Sequence, residues 1–66
     1  MDVRVNGKTV VCSEGATVRD LLGLLDLTPE TVVVERNREL VPQELFAIAH
    51  LEAGDTLEVL QFVGGG

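Results

Sequence analysis

The chain has 66 residues, 45% of them hydrophobic, and a net charge of −6 from 11 acids against 5 bases. A chain of that length makes one small domain that buries only about 60% of its unfolded surface, with little room for an enclosed ligand pocket of about 300–1,000 Å³. The charge argues against a nucleic acid or an anionic membrane as partner, since phosphate contacts need cations. It suits solubility, with plain solvation the reading for most individual acids, and also a partner with a basic docking face.

The first strand is written in the alternation of Val3 and Val5 with Asp2 and Arg4. Asn6-Gly7 follows, a pair suited to the type I′ hairpin turn, in which both central residues take positive φ. The return strand is expected over residues 8–13. With Val5 opposite Lys8 and Val3 opposite Val10, the face holding Val3, Val5, Val10 and Cys12 is the buried one. Arg4, Thr9 and Val11 fall on the other face.

Glu14-Gly15-Ala16 breaks the strand. Thr17 is a good helix N-cap, and Asp20 three residues on can reciprocate as in a capping box. Val18, Leu21, Leu22 and Leu25 recur at helical spacing and form one apolar face. The helix is expected to end near Asp26, with Thr28-Pro29 preventing extension. Gly23 weakens it by about 1 kcal/mol relative to Ala, so packing must supply its stability.

Residues 31–36 read as a β-branched strand, Asn37-Arg38 as a turn, and Leu40-Val41 as a short strand stopped by Pro42. In residues 43–51, Leu45, Phe46, Ile48 and Leu51 are expected to anchor a short helical turn under the sheet. Residues 52–55 form a loop and residues 56–63 the last strand. The order ββαβ(β)β predicts an α+β fold in two layers: a mixed sheet of four to five strands with one main helix on one face. The last strand must run beside the first, or its apolar residues have no cover. Residues 1–63 form the folded domain, and residues 64–66 a flexible glycine tail.

The last strand is apolar on both faces. Leu57 and Val59 share one, Leu60 and Phe62 the other. A sheet covered by one helix needs only one apolar face. Leu60 and Phe62 therefore form either a docking patch or a part of the core covered by residues 43–51.

Enzymatic chemistry finds little support. His50, the one histidine, has no metal-ligand spacing around it and reads as structural. Cys12, the one cysteine, lies on a buried face and reads as an inert thiol. With no disulfide possible, a reducing, cytoplasmic setting is expected, and MDVRVNGK has no apolar signal core. Ser13 lacks a base, no phosphate-binding glycine motif occurs, and Glu44, Glu52 and Asp55 read as a solvated surface. No catalytic residue, metal or bound cofactor is expected.

What stands out is the run of Gly64, Gly65 and Gly66 directly after an apolar strand. Three extended glycines reach about 10 Å, and without side chains they fit a narrow channel with free φ and ψ. A terminal carboxylate is a poor acyl donor. Converted to an acyl-adenylate, it is open to a sulfur nucleophile, giving a thiocarboxylate on Gly66.

Together, the NGK hairpin, the helix TVRDLLGLL, the segment VVVERNRELVP, the strand AGDTLEVLQFV and the glycine tail resemble the ThiS sulfur carriers of thiamin biosynthesis, which have the ubiquitin-like β-grasp fold. The resemblance spans the whole chain. It implies that a ThiF-like adenylyltransferase uses ATP and Mg²⁺ to activate Gly66, that a sulfurtransferase supplies sulfur from a persulfide, and that the thiazole synthase ThiG receives it. Gly65 and Gly66 match the diglycine tail of that family. Strand alternation adds Leu60 and Phe62, with Val33 as neighbour, as the partner-docking patch. A carrier subunit for molybdopterin synthesis and a ubiquitin-like protein modifier share the fold and tail. The short length and VVVERN favour the thiamin type. A plain binding module with a frayed end is the remaining alternative.

Overall fold

The computed structural model describes residues 1–62. Val63, Gly64, Gly65 and Gly66 lie outside the described residues, and with them the expected tail and the last residue assigned to the final strand. Strands β1 (Asp2–Val5), β2 (Lys8–Val11), β3 (Val32–Arg36), β4 (Glu39–Val41) and β5 (Thr56–Gln61) form one mixed sheet in the order β2-β1-β5-β3-β4. Helix α1 (Val18–Leu24) supplies the second layer. This is the β-grasp, ubiquitin-like architecture.

The first hairpin has the expected register, with Val5 opposite Lys8 and Val3 opposite Val10. Asn6 and Gly7 take φ of 51° and 84°, as the type I′ turn requires. β2 stops at Val11, earlier than expected. Just beyond it, Met1 and Cys12 still exchange backbone hydrogen bonds. Val3, Val5 and Cys12 are buried, Val10 is partly buried, and Val11 is exposed.

The capping box is present: Asp20 N–H donates to Thr17 Oγ1 at 3.1 Å, and Thr17 N–H donates to Asp20 Oδ2 at 3.0 Å. Val18, Leu21 and Leu22 are fully buried, while Leu25 is only partly so. The helix ends at Leu24 because Asp26 adopts φ 59°. Leu27 N–H then bonds the Leu22 carbonyl and Asp26 N–H the Gly23 carbonyl, a Schellman ending with aspartate where glycine is usual.

Thr31 belongs to the 3₁₀ turn Pro29–Thr31, so β3 begins at Val32. β4 carries one residue more than expected, Glu39. The segment after Pro42 does contain a short helical turn, Gln43–Leu45, but only two of its four expected anchors reach the core. Phe46 and Leu51 are buried, whereas Leu45 and Ile48 are exposed. Phe46 and Ala49 place their carbonyls against Arg19 and Val18 N–H, and Leu51 N–H bonds Ala16. The segment thus packs against the start of α1.

β5 lies between β1, to which it is parallel, and β3, to which it is antiparallel. Its central place buries Leu57 and Val59 against α1 with Val3, Val34 and Leu22. Its opposite face is open, which sets the geometry of the site.

Candidate functional site

Strand parity decides which side chains of β5 face outward. Leu57 and Val59 point to the helix, so Leu60 and Phe62 must point away, and they are 69% and 57% exposed. The structure therefore answers the question left open about this pair: residues 43–51 do not cover it. Val33 lies directly across from Leu60 and is partly buried. Phe62 is anchored through its backbone, its N–H donating to the Thr31 carbonyl at 2.7 Å. The three residues assigned to the patch thus lie together on the open face, at the end of β5 that leads into residues 63–66.

Two glutamates continue this face. Glu35 and Glu58 are paired across β3 and β5, one step along from Val33 and Leu60. A shallow depression lined by Asn6, Val33, Glu35, Glu58 and Leu60 joins the apolar and acidic pairs. Both glutamates are exposed. The sequence gives no register between these strands, so reading each strand alone misses this pair. A register taken from the antiparallel pairing, combined with parity, finds it.

The remaining chemistry-bearing residues have structural roles. Cys12 is buried. His50 Nδ1 lies 2.8 Å from the Gly15 carbonyl, and its backbone bridges Thr17, so it fastens the loop before α1. Asp55 corrects the reading of the acids as a solvated surface, because it is buried. Its Oδ2 accepts from Arg36 Nε and from Glu52 N–H, each at 2.8 Å, and its Oδ1 accepts from Asn37 Nδ2 at 3.1 Å. Burial pushes this carboxyl up, but the Glu52 N–H, the Asn37 amide and the Arg36 charge together hold it below the usual range. Asp20 is also held low, chiefly by the Thr17 N–H. Among the described residues, no group of three or more His, Cys, Asp or Glu side chains is placed to hold a metal ion. Nor is any helix there long and apolar enough to cross a membrane.

A five-stranded mixed sheet with one helix on one face belongs to the class of small ubiquitin-like, β-grasp domains. The ThiS family model matches residues 3–66, and the chain belongs to that family. It is 37% identical to the sulfur carrier protein ThiS of Bacillus subtilis over 65 residues, covering 97% of this chain and 98% of that one. It is 41% identical over 66 residues to a thiazole synthase of Paramagnetospirillum magneticum, covering all of this chain but only 20% of that protein. The crystal structure of a thiamine biosynthesis protein, ThiS, from Geobacter metallireducens superposes with a TM-score of 0.83 at 38% identity, over the full length of both chains.

Proposed function

We propose that this protein is a sulfur carrier in thiamin (thiazole) biosynthesis, acting as a protein cosubstrate with Gly66 as the reacting residue. The reading rests on one observation: the exposed apolar end of β5, at Leu60 and Phe62, runs within four residues into Gly66, in a chain matched to the ThiS family through residue 66. A ThiF-like adenylyltransferase uses ATP and Mg²⁺. The Gly66 carboxylate attacks the α-phosphorus, pyrophosphate leaves, and an acyl-adenylate forms. A persulfide sulfur from a sulfurtransferase then displaces AMP at the carbonyl carbon. Cleavage of the resulting acyl disulfide by a thiol reductant leaves the thiocarboxylate.

The sulfur acceptor is a thiazole synthase. Supporting this, one relative of that name contains a region similar to the whole of this chain. Val33, Leu60 and Phe62 form the face on which partners dock. Gly64, Gly65 and Gly66 have no side chains, which suits a partner's channel too narrow for them. The setting is the cytoplasm, where a lone thiol such as Cys12 stays reduced.

Intact mass spectrometry tests this reading. Incubation with the cognate adenylyltransferase, ATP, Mg²⁺ and a sulfur source is expected to exchange one oxygen for sulfur, localised to Gly66. Deleting Gly66 abolishes the exchange. An unchanged mass with active enzyme, or an isopeptide bond to a lysine of another protein, overturns the reading.

A further inference from the structure

Glu35 and Glu58 occupy an unfavourable position for two acids. The flanking rungs, Phe62 N–H to Thr31 and Asn37 N–H to Thr56, place them in a hydrogen-bonded pair of an antiparallel ladder, with Cα atoms about 5.5 Å apart. Like charges directly opposite on one sheet face destabilise it. Among the described residues, neither carboxylate takes part in an ion pair or a side-chain hydrogen bond that would relieve the repulsion. Two of the neighbouring arginines are engaged elsewhere. Arg4 donates to the Gly7 carbonyl at 3.0 Å, Arg36 holds Asp55 on the helix side, and Arg38 lines a depression beside the two acids without pairing to either.

The acidic pair adjoins the Val33–Leu60 pair without a break, so a surface that covers one reaches the other. Gly66 follows Phe62 by four residues in the sequence, a reach of at most about 13–14 Å. A partner that takes the tail is thereby held over this face. We propose that the thiazole synthase sets an arginine guanidinium across the Glu35 and Glu58 carboxylates while its apolar side chains cover Val33, Leu60 and Phe62.

This inference rests on the docking reading above and adds the chemistry of the partner. A guanidinium suits the pair better than an ammonium, because its planar fork offers donors to two carboxylates at once. The repulsion that weakens the free carrier becomes an attraction on docking, since the cation neutralises both acids. The carrier's net charge of −6 adds steering toward a basic face. Release then returns the two acids to water.

The test measures binding of the full-length carrier to its cognate thiazole synthase by calorimetry at low and moderate salt. The expected result for E35Q/E58Q is a melting temperature at or above that of the wild type, with binding about tenfold to a hundredfold weaker and less dependent on salt. E30Q/E44Q removes the same charge from two other exposed positions and is expected to bind as the wild type does. Binding of E35Q/E58Q within twofold of the wild type, with L60D defective, overturns the arginine contact and leaves the docking face standing. Wild-type binding by L60D overturns the docking face itself. Equal weakening in E30Q/E44Q reduces the effect to general charge steering and also overturns the contact.

Discussion

Asn6 and Val59 lie 53 residues apart and are joined by two hydrogen bonds: the Asn6 carboxamide donates to the Val59 carbonyl at 3.0 Å and accepts from the Val59 N–H at 2.8 Å. The side chain continues the parallel β1–β5 ladder where the β1 backbone has already turned away. The same residue takes φ 51° to start the hairpin turn. One asparagine therefore fixes both the turn and the register of the strand that presents the docking face.

Asn6→Gly separates these roles, because glycine accepts the positive φ but leaves Val59 without the clamp. The expected loss is about 1–3 kcal/mol, the cost of two hydrogen bonds at about 0.5–1.5 kcal/mol each. Asn6→Asp keeps the acceptor but turns a carboxylate oxygen toward the Val59 carbonyl, so it is expected to lose at least as much as Asn6→Gly. Urea denaturation with an unchanged slope measures both. A Gly variant as stable as the wild type removes the clamp from the account.

Asp55 gives the fold an acid-sensitive joint. Its carboxyl is held low by Glu52, Asn37 and Arg36 despite burial. The resulting stabilisation is fully present above the unfolded value of about 4 and is lost as pH falls through the lower folded value. Asp55→Asn is expected to cost about 2–3 kcal/mol near neutral pH, given charge-assisted hydrogen bonds of about 1.5–3 kcal/mol. It also flattens the decline in stability below pH 4. Denaturation midpoints from pH 7 to pH 3 give both effects, and parallel curves for the two proteins contradict the account.

Much of this was legible in the sequence because it is local. The Asn6-Gly7 turn, the Thr17–Asp20 capping box and the alternation of Leu57, Val59, Leu60 and Phe62 each depend on residues a few positions apart. What escaped depends on register between distant segments. Asp55 looks like a loop acid until Arg36 and Asn37 are brought beside it, and Glu35 meets Glu58 only after β3 and β5 align. The exposure of Leu45 and Ile48 escaped for a related reason. An apolar run without strong periodicity does not show which side chains face the core, and here Phe46 and Leu51 fill the available space.

Arg38 is a backbone misfit that can be corrected. It holds φ 72° at the second position of the β3–β4 turn, where Gly7 stands in the first hairpin. A left-handed conformation costs a residue with a Cβ about 1–2 kcal/mol, offset in part by the greater unfolded-state entropy of glycine. Arg38→Gly is expected to stabilise the protein by about 0.5–1 kcal/mol, raising its melting temperature. A lower melting temperature places the arginine side chain, and not the backbone, in control of this turn.

The docking face makes a prediction about two exposed apolar residues at different places on the sheet. Val11 is 69% exposed on the edge strand β2, and Phe62 is 57% exposed at the end of β5. Replacing either with aspartate buries no charge, so stability is expected to change by no more than about 0.5 kcal/mol in each. Only Phe62 lies beside Leu60 and on the path to Gly66. Phe62→Asp is therefore expected to slow thiocarboxylate formation about tenfold or more, through loss of the apolar contact and a charge left facing the partner's apolar surface. Val11→Asp leaves the rate unchanged. Timed intact-mass measurements on both variants decide between position and composition. Equal slowing means that the face responds to added negative charge alone, and loss of cooperative unfolding in Phe62→Asp returns that side chain to the core.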